Sequence, residues 1–316
     1  MTIAWVFPGQ GSQYVGMARD LYETFSAARE IIDSADTVLG FPLSQLMFQG
    51  PEADLTDTLN AQPALLTHSI AALAALRQAA PEHAAALTPA MCAGHSLGEY
   101  SALVAAGALA FADGLKLVRA RGAAMQRAGE QQPGAMAAIL GLDDARLSQI
   151  CEQVGAVQVA NYNAPGQLVI SGEKASIERA VDQAKQAGAK RAIVLAVSIA
   201  SHSKLMRPAV EEYRAAVMAT PLTAPRVPVI SNITAQPLPD VQAIRSEMLA
   251  QLTSSVQWVK SIAWMEASGV SEFLELGPKD VLTGLNKRIT RHAVTRPLGT
   301  VETITRYTTQ PQEHAA

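Results

Sequence analysis

The chain has 316 residues, 49% of them hydrophobic and 17% charged, with a formal net charge of −3. That composition can bury a sizeable core in one large domain or two modest ones, and it gives no reason to expect nucleic acid or an anionic membrane as partner. Two cysteines, Cys92 and Cys151, exclude a disulfide framework and paired metal-ligand spacing. No run reaches the ~18 apolar residues of a membrane span, and no signal peptide is read at the start, so a cytoplasmic location is expected.

Residues 2–7 form an apolar run with β-branched and aromatic members, which predicts a buried strand. It ends at Pro8-Gly9-Gln10-Gly11-Ser12-Gln13, where Pro8 has no N–H to donate and the glycines permit unusual dihedrals. This is not a dinucleotide loop, because Tyr14 stands where a third glycine belongs, and it lacks the Gly-Lys-Ser/Thr of a phosphate loop. Two readings stay open: an ordinary strand–helix turn, or a backbone donor at a strand's C-terminal end, where α/β proteins place ligands. Residues 17–39 and 62–79 carry helical apolar spacing. The second stretch is apolar nearly all round, which predicts a buried helix with His68 packed inside it.

The apolar run Ala90-Met91-Cys92-Ala93 leads into Gly94-His95-Ser96-Leu97-Gly98-Glu99-Tyr100, followed by a helical stretch from Ser101 to Gly107. Gly94-x-Ser96-x-Gly98 between strand and helix is the nucleophile-elbow pattern. A serine there sits on a strained turn, and side chains at the two glycine positions would collide with the neighbouring strand or helix. The hydroxyl is left above a helix N-terminus, whose free N–H groups favour a forming oxyanion. Ser96 is therefore the candidate nucleophile.

Asp113 predicts a cap for a helix running to about Arg127. In that helix Lys116, Arg119, Ala123 and Arg127 share one face, while Leu117, Val118, Arg121, Ala124 and Met125 share the opposite one. Arg121 is a cation on the side that should be buried, and a buried guanidinium needs an anion. The partner is either a protein Asp or Glu or a substrate carboxylate, which Arg can hold bidentately.

Pro133-Gly134 opens a new segment. Strands are predicted at 135–141, 157–162, 167–171 and 190–197, with helices at 143–154 and 173–187, and Asn163-Ala164-Pro165-Gly166 as the turn between the middle strands. The order β-α-β-β-α-β is the ferredoxin-like pattern, here read as a small domain inserted in a larger α/β one. His202 follows in a loop leaving that insert, and clefts between domains are favoured sites. An elbow serine needs a base, and His202 is the candidate. Its rival is His292, which with Asp280 would follow the Ser…Asp…His order of serine hydrolases. His83 in an Ala/Pro-rich turn and His314 in the polar tail compete poorly. Further on, strands are read at 227–231 and 270–276 and helices from Trp258 to about Gly269 and at 282–289; from Val301 the chain reads as a loose tail.

The stretches Phe7-Pro8-Gly9-Gln10-Gly11-Ser12-Gln13, Gly94-His95-Ser96-Leu97-Gly98-Glu99-Tyr100, Arg121-Gly122-x-x-Met125, Asn161-x-Asn163-x-Pro165-Gly166-Gln167, Ser201-His202 and Val256-Gln257-Trp258 occur in one order. Together they resemble the malonyl-CoA:acyl carrier protein transacylase family over roughly residues 3 to 290. The resemblance implies an α/β-hydrolase-like core with a mainly parallel sheet, at 1–132 and 198–300, the ferredoxin-like insert at 133–197, and a tail at 301–316. It implies ping-pong malonyl transfer from malonyl-CoA to the phosphopantetheine thiol of acyl carrier protein in fatty acid biosynthesis, by a monomer with no cofactor beyond the coenzyme A thioester. Ser96 matches the nucleophile and His202 its base, oriented by the backbone carbonyl matching Gln251. The backbone N–H groups of Gln10 and Leu97 match the oxyanion donors, Arg121 the carboxylate ligand, and His95, Met125 and Asn163 the substrate-binding residues.

One departure bears on substrate. Ala200-Ser201 precede His202 where the free-standing malonyl enzymes often have Pro-Ser, and Ala-Ser accompanies methylmalonyl in modular polyketide acyltransferases. Ile199 is not the tyrosine of that methylmalonyl pattern, so malonyl stays first; the alternatives are a discrete polyketide acyltransferase using malonyl or methylmalonyl, and a serine thioesterase or hydrolase, which shares the elbow. A non-catalytic docking subunit of the same fold is a further one, disfavoured by intact Ser96, His202 and Arg121. Lys190, Arg191, Lys287 and Arg288 could meet an acidic carrier protein, or be ordinary solvated charges.

Overall fold

A computed structural model describes residues 2–81, 87–197 and 199–309; His83, Ser198 and His314 lie outside the described residues. In chain order the elements are β1 Ile3–Phe7, α1 Arg19–Thr24, α2 Ser26–Leu39, α3 Leu43–Gln49, α4 Glu52–Thr56, α5 Thr58–Ala79, β2 Met91–Gly94, α6 Gly98–Ala105 and α7 Phe111–Gln131. Then come β3 Gly134–Leu140, α8 Asp144–Val154, β4 Val157–Ala164, β5 Gln167–Glu173, α9 Lys174–Gln186 and β6 Arg191–Val194. The chain closes with α10 Arg207–Ala219, β7 Val229–Ile230, α11 Val241–Ala250, α12 Trp258–Ala267, β8 Glu272–Glu275, α13 Val281–Ile289, β9 Val294–Pro297 and α14 Val301–Thr309.

Two sheets organise these elements. The first has strand order β7-β2-β1-β8-β9 with every pairing parallel. Its central strand β1 is apolar throughout because both faces are covered. Successive side chains alternate: Ile3, Trp5 and Phe7 join the large core built with α2, α5 and α7, while Ala4 and Val6 pack against Trp258, Ile262 and Leu285 of α12 and α13. Helix α5 is buried nearly all round, as its composition predicts, and His68 within it bonds the Gly299 carbonyl at 2.8 Å.

The second sheet is antiparallel, in order β4-β5-β3-β6. Ile139, Leu168 and Ile170 face Leu147, Ile150 and Ile177 of α8 and α9. The other face carries Met136, Ala160 and Val169, and Met136 and Val169 line the cavity described below. The second sheet is tied to the rest of the chain where the segment before α12 runs beside β4: Val256 N–H donates to the Ala160 carbonyl (2.8 Å) and Tyr162 N–H to that of Val256 (2.9 Å).

Several sequence expectations are corrected. Residues 17–39 are two helices, broken at Phe25 (φ −111, ψ 118), whose N–H closes α1 on Leu21. Asp113 is not a cap: α7 starts at Phe111 behind extended Ala110, leaving Asp113 in the first turn, where a carboxylate suits the helix dipole. The tail is not loose from Val301. Helix α14 buries Ile304 and Tyr307, three residues apart on one face, and its Val301 N–H bonds Asp20 Oδ2 at 2.7 Å. Helices α3, α4 and α11 and strand β9 were not anticipated. Among the described residues no helix is long and apolar enough to cross a membrane, and no cluster of three or more His, Cys, Asp or Glu could hold a metal.

Candidate active site

Ser96 stands between β2 and α6 with φ +52, a conformation that costs a non-glycine residue energy. The two glycines of the motif make the turn possible by close approach. A Cβ on Gly94 would stand 1.9 Å from the Gly98 carbonyl, and one on Gly98 would stand 2.1 Å from the Phe7 carbonyl oxygen. The turn is further clamped by Asn232, whose Oδ1 accepts the Ser96 N–H and whose Nδ2 donates to the Gly94 carbonyl, both at 2.7 Å.

His202 lies in the loop after β6, also at positive φ (+57), and is buried. Its Nε2 is 2.8 Å from Ser96 Oγ. Its Nδ1 lies 2.8 Å from the Gln251 carbonyl and 3.1 Å from that of Ser254. Carbonyl oxygens only accept, so Nδ1 carries the proton and Nε2 presents its lone pair to the serine hydroxyl. Burial, and then the nearby Arg121 charge, push the imidazole pKa down to about 3. The ring is therefore neutral, and basic at Nε2, over the physiological range.

Arg121 is 1% exposed on the inner face of α7, as its helical phase predicts. Its terminal nitrogens donate to Gln62 Oε1 (3.0 Å), Gln251 Oε1 (2.9 Å) and, at 3.4 Å, Ser96 Oγ. The Tyr100 ring lies beneath it, 5.6 Å from the centroid. None of the ion pairs among the described residues includes Arg121, and its Nε is buried without a partner. Its hydrogen-bond partners are thus all neutral oxygens, and a guanidinium so held can take an incoming carboxylate.

These groups line one cavity of about 900 Å³, with Gln10, Leu97, His95, Met125 and Asn163 around it. The backbone N–H groups of Gln10 and Leu97 have no intramolecular acceptor among the described residues. Gln10 is anchored by its side chain, Nε2 donating to Thr58 Oγ1 at 3.0 Å. His95 Nε2 lies 2.7 Å from Asn163 Oδ1, and its ring is 5.6 Å from that of Trp258. Gln251 lies behind the cavity wall, 1% exposed. His292 and Asp280, the rival pair, are exposed and neither bonds Ser96. Lys190, Arg191, Lys287 and Arg288 are exposed; Arg288 holds the β4–β5 turn through the Pro165 carbonyl at 2.9 Å.

The acyl transferase domain model matches residues 4–311. The malonyl CoA-acyl carrier protein transacylase of Bacillus subtilis is 47% identical over 306 residues, covering 96% of this chain and 95% of that one. The chain belongs to this acyl transferase family. The acyl-carrier-protein S-malonyltransferase of Bartonella henselae superposes with TM-score 0.92 at 43% identity, covering 97% and 98% of the two chains. A malonyl-transacylase in complex with a type II PKS acyl-carrier protein superposes with TM-score 0.91 at 40% identity, covering 96% and 98%.

The acyl transferase site also uses residues that motif reading passed over. Gln62 grips Arg121, but as one of several polar residues in α5, with Asn60, Thr67, His68 and Ser69, it carries no distinguishing signal. Asn232 clamps the elbow, and Gln158 donates from β4 to the carbonyls of His202 (3.0 Å) and Thr253 (3.2 Å), holding the histidine loop. Nothing in local sequence marks either of these.

Proposed function

We propose that this chain transfers a malonyl group from malonyl-CoA to the phosphopantetheine thiol of an acyl carrier protein, through a malonyl-Ser96 ester, in fatty acid biosynthesis. The observation that carries the reading is the convergence on Ser96 Oγ of a neutral imidazole at 2.8 Å and, at 3.4 Å, a guanidinium in no direct ion pair among the described residues. Ser96 Oγ attacks the thioester carbonyl as its proton passes to His202 Nε2. The imidazolium is supported at Nδ1–H by the Gln251 and Ser254 carbonyls rather than by an aspartate. The oxyanion is received by the N–H groups of Gln10 and Leu97. The coenzyme A thiolate leaves and takes the proton from Nε2; the carrier thiol then gives its proton to Nε2, attacks the ester and regenerates Ser96 Oγ–H.

Arg121 binds the distal malonyl carboxylate, while His95, Met125 and Asn163 wall the acyl channel. An acyl group without that carboxylate leaves the guanidinium buried and unpaired, a penalty of roughly 3–5 kcal/mol. The five-stranded parallel sheet with its elbow supports the α/β-hydrolase-like reading of residues 1–132 and 198–300, joined by α14. The order β4-β5-β3-β6 supports the ferredoxin-like reading of residues 133–197. Two free, buried cysteines fit a cytoplasmic enzyme.

A polyketide carrier is the second reading, favoured by the structural relative bound to a type II PKS carrier. Transfer assays from malonyl-, methylmalonyl- and acetyl-CoA, with hydrolysis measured alongside, decide among them. The proposal requires malonyl transfer to exceed the other two and to exceed hydrolysis. Dominant hydrolysis would make the chain a thioesterase and end it.

A further inference from the structure

Behind the serine, and untouched by the cavity, lies a carboxyl that the reaction does not use. Glu99 sits in the first turn of α6, 1% exposed. Its Oε2 accepts two hydrogen bonds, from Gln251 Nε2 at 3.1 Å and from the Asn232 backbone N–H at 3.0 Å. Each donor belongs to a residue already holding part of the site. Asn232 clamps the elbow through the Ser96 N–H and the Gly94 carbonyl. Gln251 presents its carbonyl oxygen to Arg121 at 2.9 Å, gives a second hydrogen bond to the Ser96 carbonyl at 3.2 Å, and offers its own backbone carbonyl to His202.

A carboxamide has two chemically opposite ends, and nothing about its shape decides which one faces Arg121. With oxygen toward the guanidinium it accepts a charge-assisted hydrogen bond; turned over, it would set N–H against N–H. Two acceptors, Glu99 Oε2 and the Ser96 carbonyl, take the nitrogen end of Gln251, so the oxygen end is committed to Arg121; of the two, Glu99 is the one a side-chain change can remove. We infer that Glu99 is a positioning residue for malonyl selectivity: by fixing the direction of the Gln251 amide it fixes the plane of the Arg121 guanidinium relative to Ser96.

The relay does not need a charge on Glu99. Burial and the neighbouring Glu247 carboxyl push its pKa well up, while the two N–H donors and Arg121 oppose them. A proton taken up at Oε1 leaves Oε2 accepting as before. The relay rests on Arg121 binding the malonyl carboxylate, as proposed above.

The test measures kcat/KM for malonyl and for acetyl transfer in Glu99→Met, Glu99→Gln, Gln251→Met and the double methionine variant. Gln251→Met keeps the backbone carbonyl that orients His202 and removes only the amide. A hydrogen bond to a charged group is worth a factor of about ten to a hundred, so the malonyl-to-acetyl ratio should fall by that factor in Gln251→Met, and by a smaller one in Glu99→Met, where the Ser96 carbonyl still holds the amide. The double variant should fall no further than Gln251→Met alone, since Glu99 acts through the Gln251 amide. Glu99→Gln, which keeps an oxygen acceptor, should hold the ratio near that of the unaltered protein. Glu99→Met should also lower both rates through the Asn232 arm, which leaves the ratio untouched. A ratio unchanged in Gln251→Met overturns the relay even if Glu99→Met does not fold. So do losses that multiply in the double variant, or a Glu99→Gln ratio as low as that of Glu99→Met. If the unaltered protein transfers no malonyl, the proposed function fails and the relay with it; if it transfers malonyl and the ratios do not move, only the relay fails.

Discussion

The proposed nucleophile and its proposed base reach the same 2.8 Å contact by opposite routes. Ser96 is set by its immediate neighbours in the chain: two glycines that let α6 approach β2 and β1 within contact, and the helix that begins two residues on. His202 is set almost entirely from far away, by the carbonyls of Gln251 and Ser254 on its ring and by Gln158 on its own carbonyl. A site can therefore combine one half that is written locally with another that exists only once two sheets have packed. The local half should fail abruptly when its geometry is touched, and the assembled half should fail by degrees.

The largest expected effect is on the local side. Gly94→Ala drives a Cβ into the Gly98 carbonyl at 1.9 Å, backbone against backbone, with no flexible side chain to yield. Loss of roughly 3 kcal/mol or more of stability is expected, read by thermal unfolding, together with loss of acyl transfer. On the assembled side, His202→Ala removes the base but leaves the elbow and oxyanion donors standing. Transfer should fall by about 10²- to 10⁴-fold with the unfolding temperature little changed. Arg121→Ala should cost malonyl transfer about 10²-fold or more, and spare acetyl transfer, because only the carboxylated substrate uses the guanidinium.

Acid provides a test without mutation. Burial and Arg121 hold the His202 pKa down to about 3, below its ordinary 6.5. A base with a lowered pKa keeps its lone pair as pH falls, so the rate of Ser96 acylation should stay level from pH 8 to pH 5 instead of halving near 6.5. The stability consequence has the opposite sense. The unfolded chain binds a proton at this histidine below 6.5 and the folded one does not until about 3, so this residue's contribution to stability is whole above 6.5 and declines as pH falls toward 3. The smallest effect is expected from Gln158→Leu, which loosens the histidine loop by one carbonyl anchor. A loss of about fivefold in kcat, on the order of 1 kcal/mol, should appear with KM unchanged.

The same division explains what the sequence could reveal. Gly94, Ser96 and Gly98 are legible because the constraint is within five residues. Arg121 is legible because helix periodicity places it inward with Leu117, Val118 and Met125. The order of elements in 133–197 is legible because each strand and helix carries its own period and turn. The partners of Arg121 were not: both readings, a protein carboxylate or a substrate one, depend on packing between α5, α7 and the loop after α11. The structure puts Gln62 and Gln251 there instead of an acid. Helix α11 had a readable signal in Asp240, whose side chain caps it, with Ile244 and Met248 four apart. Helix α14 was hidden by its polar residues, since only Ile304 and Tyr307 reveal the buried face.

The central claim is that Ser96 carries malonyl and Arg121 selects it. Brief exposure to malonyl-CoA without carrier protein, followed by mass measurement of the proteolytic fragments, tests it most directly. The account predicts one malonyl group on the fragment bearing Ser96 in the unaltered protein, none in Ser96→Ala, and very little in Arg121→Ala. A malonyl group on another residue, or a protein that turns over malonyl-CoA while Ser96 stays unmodified at every time point, would contradict it.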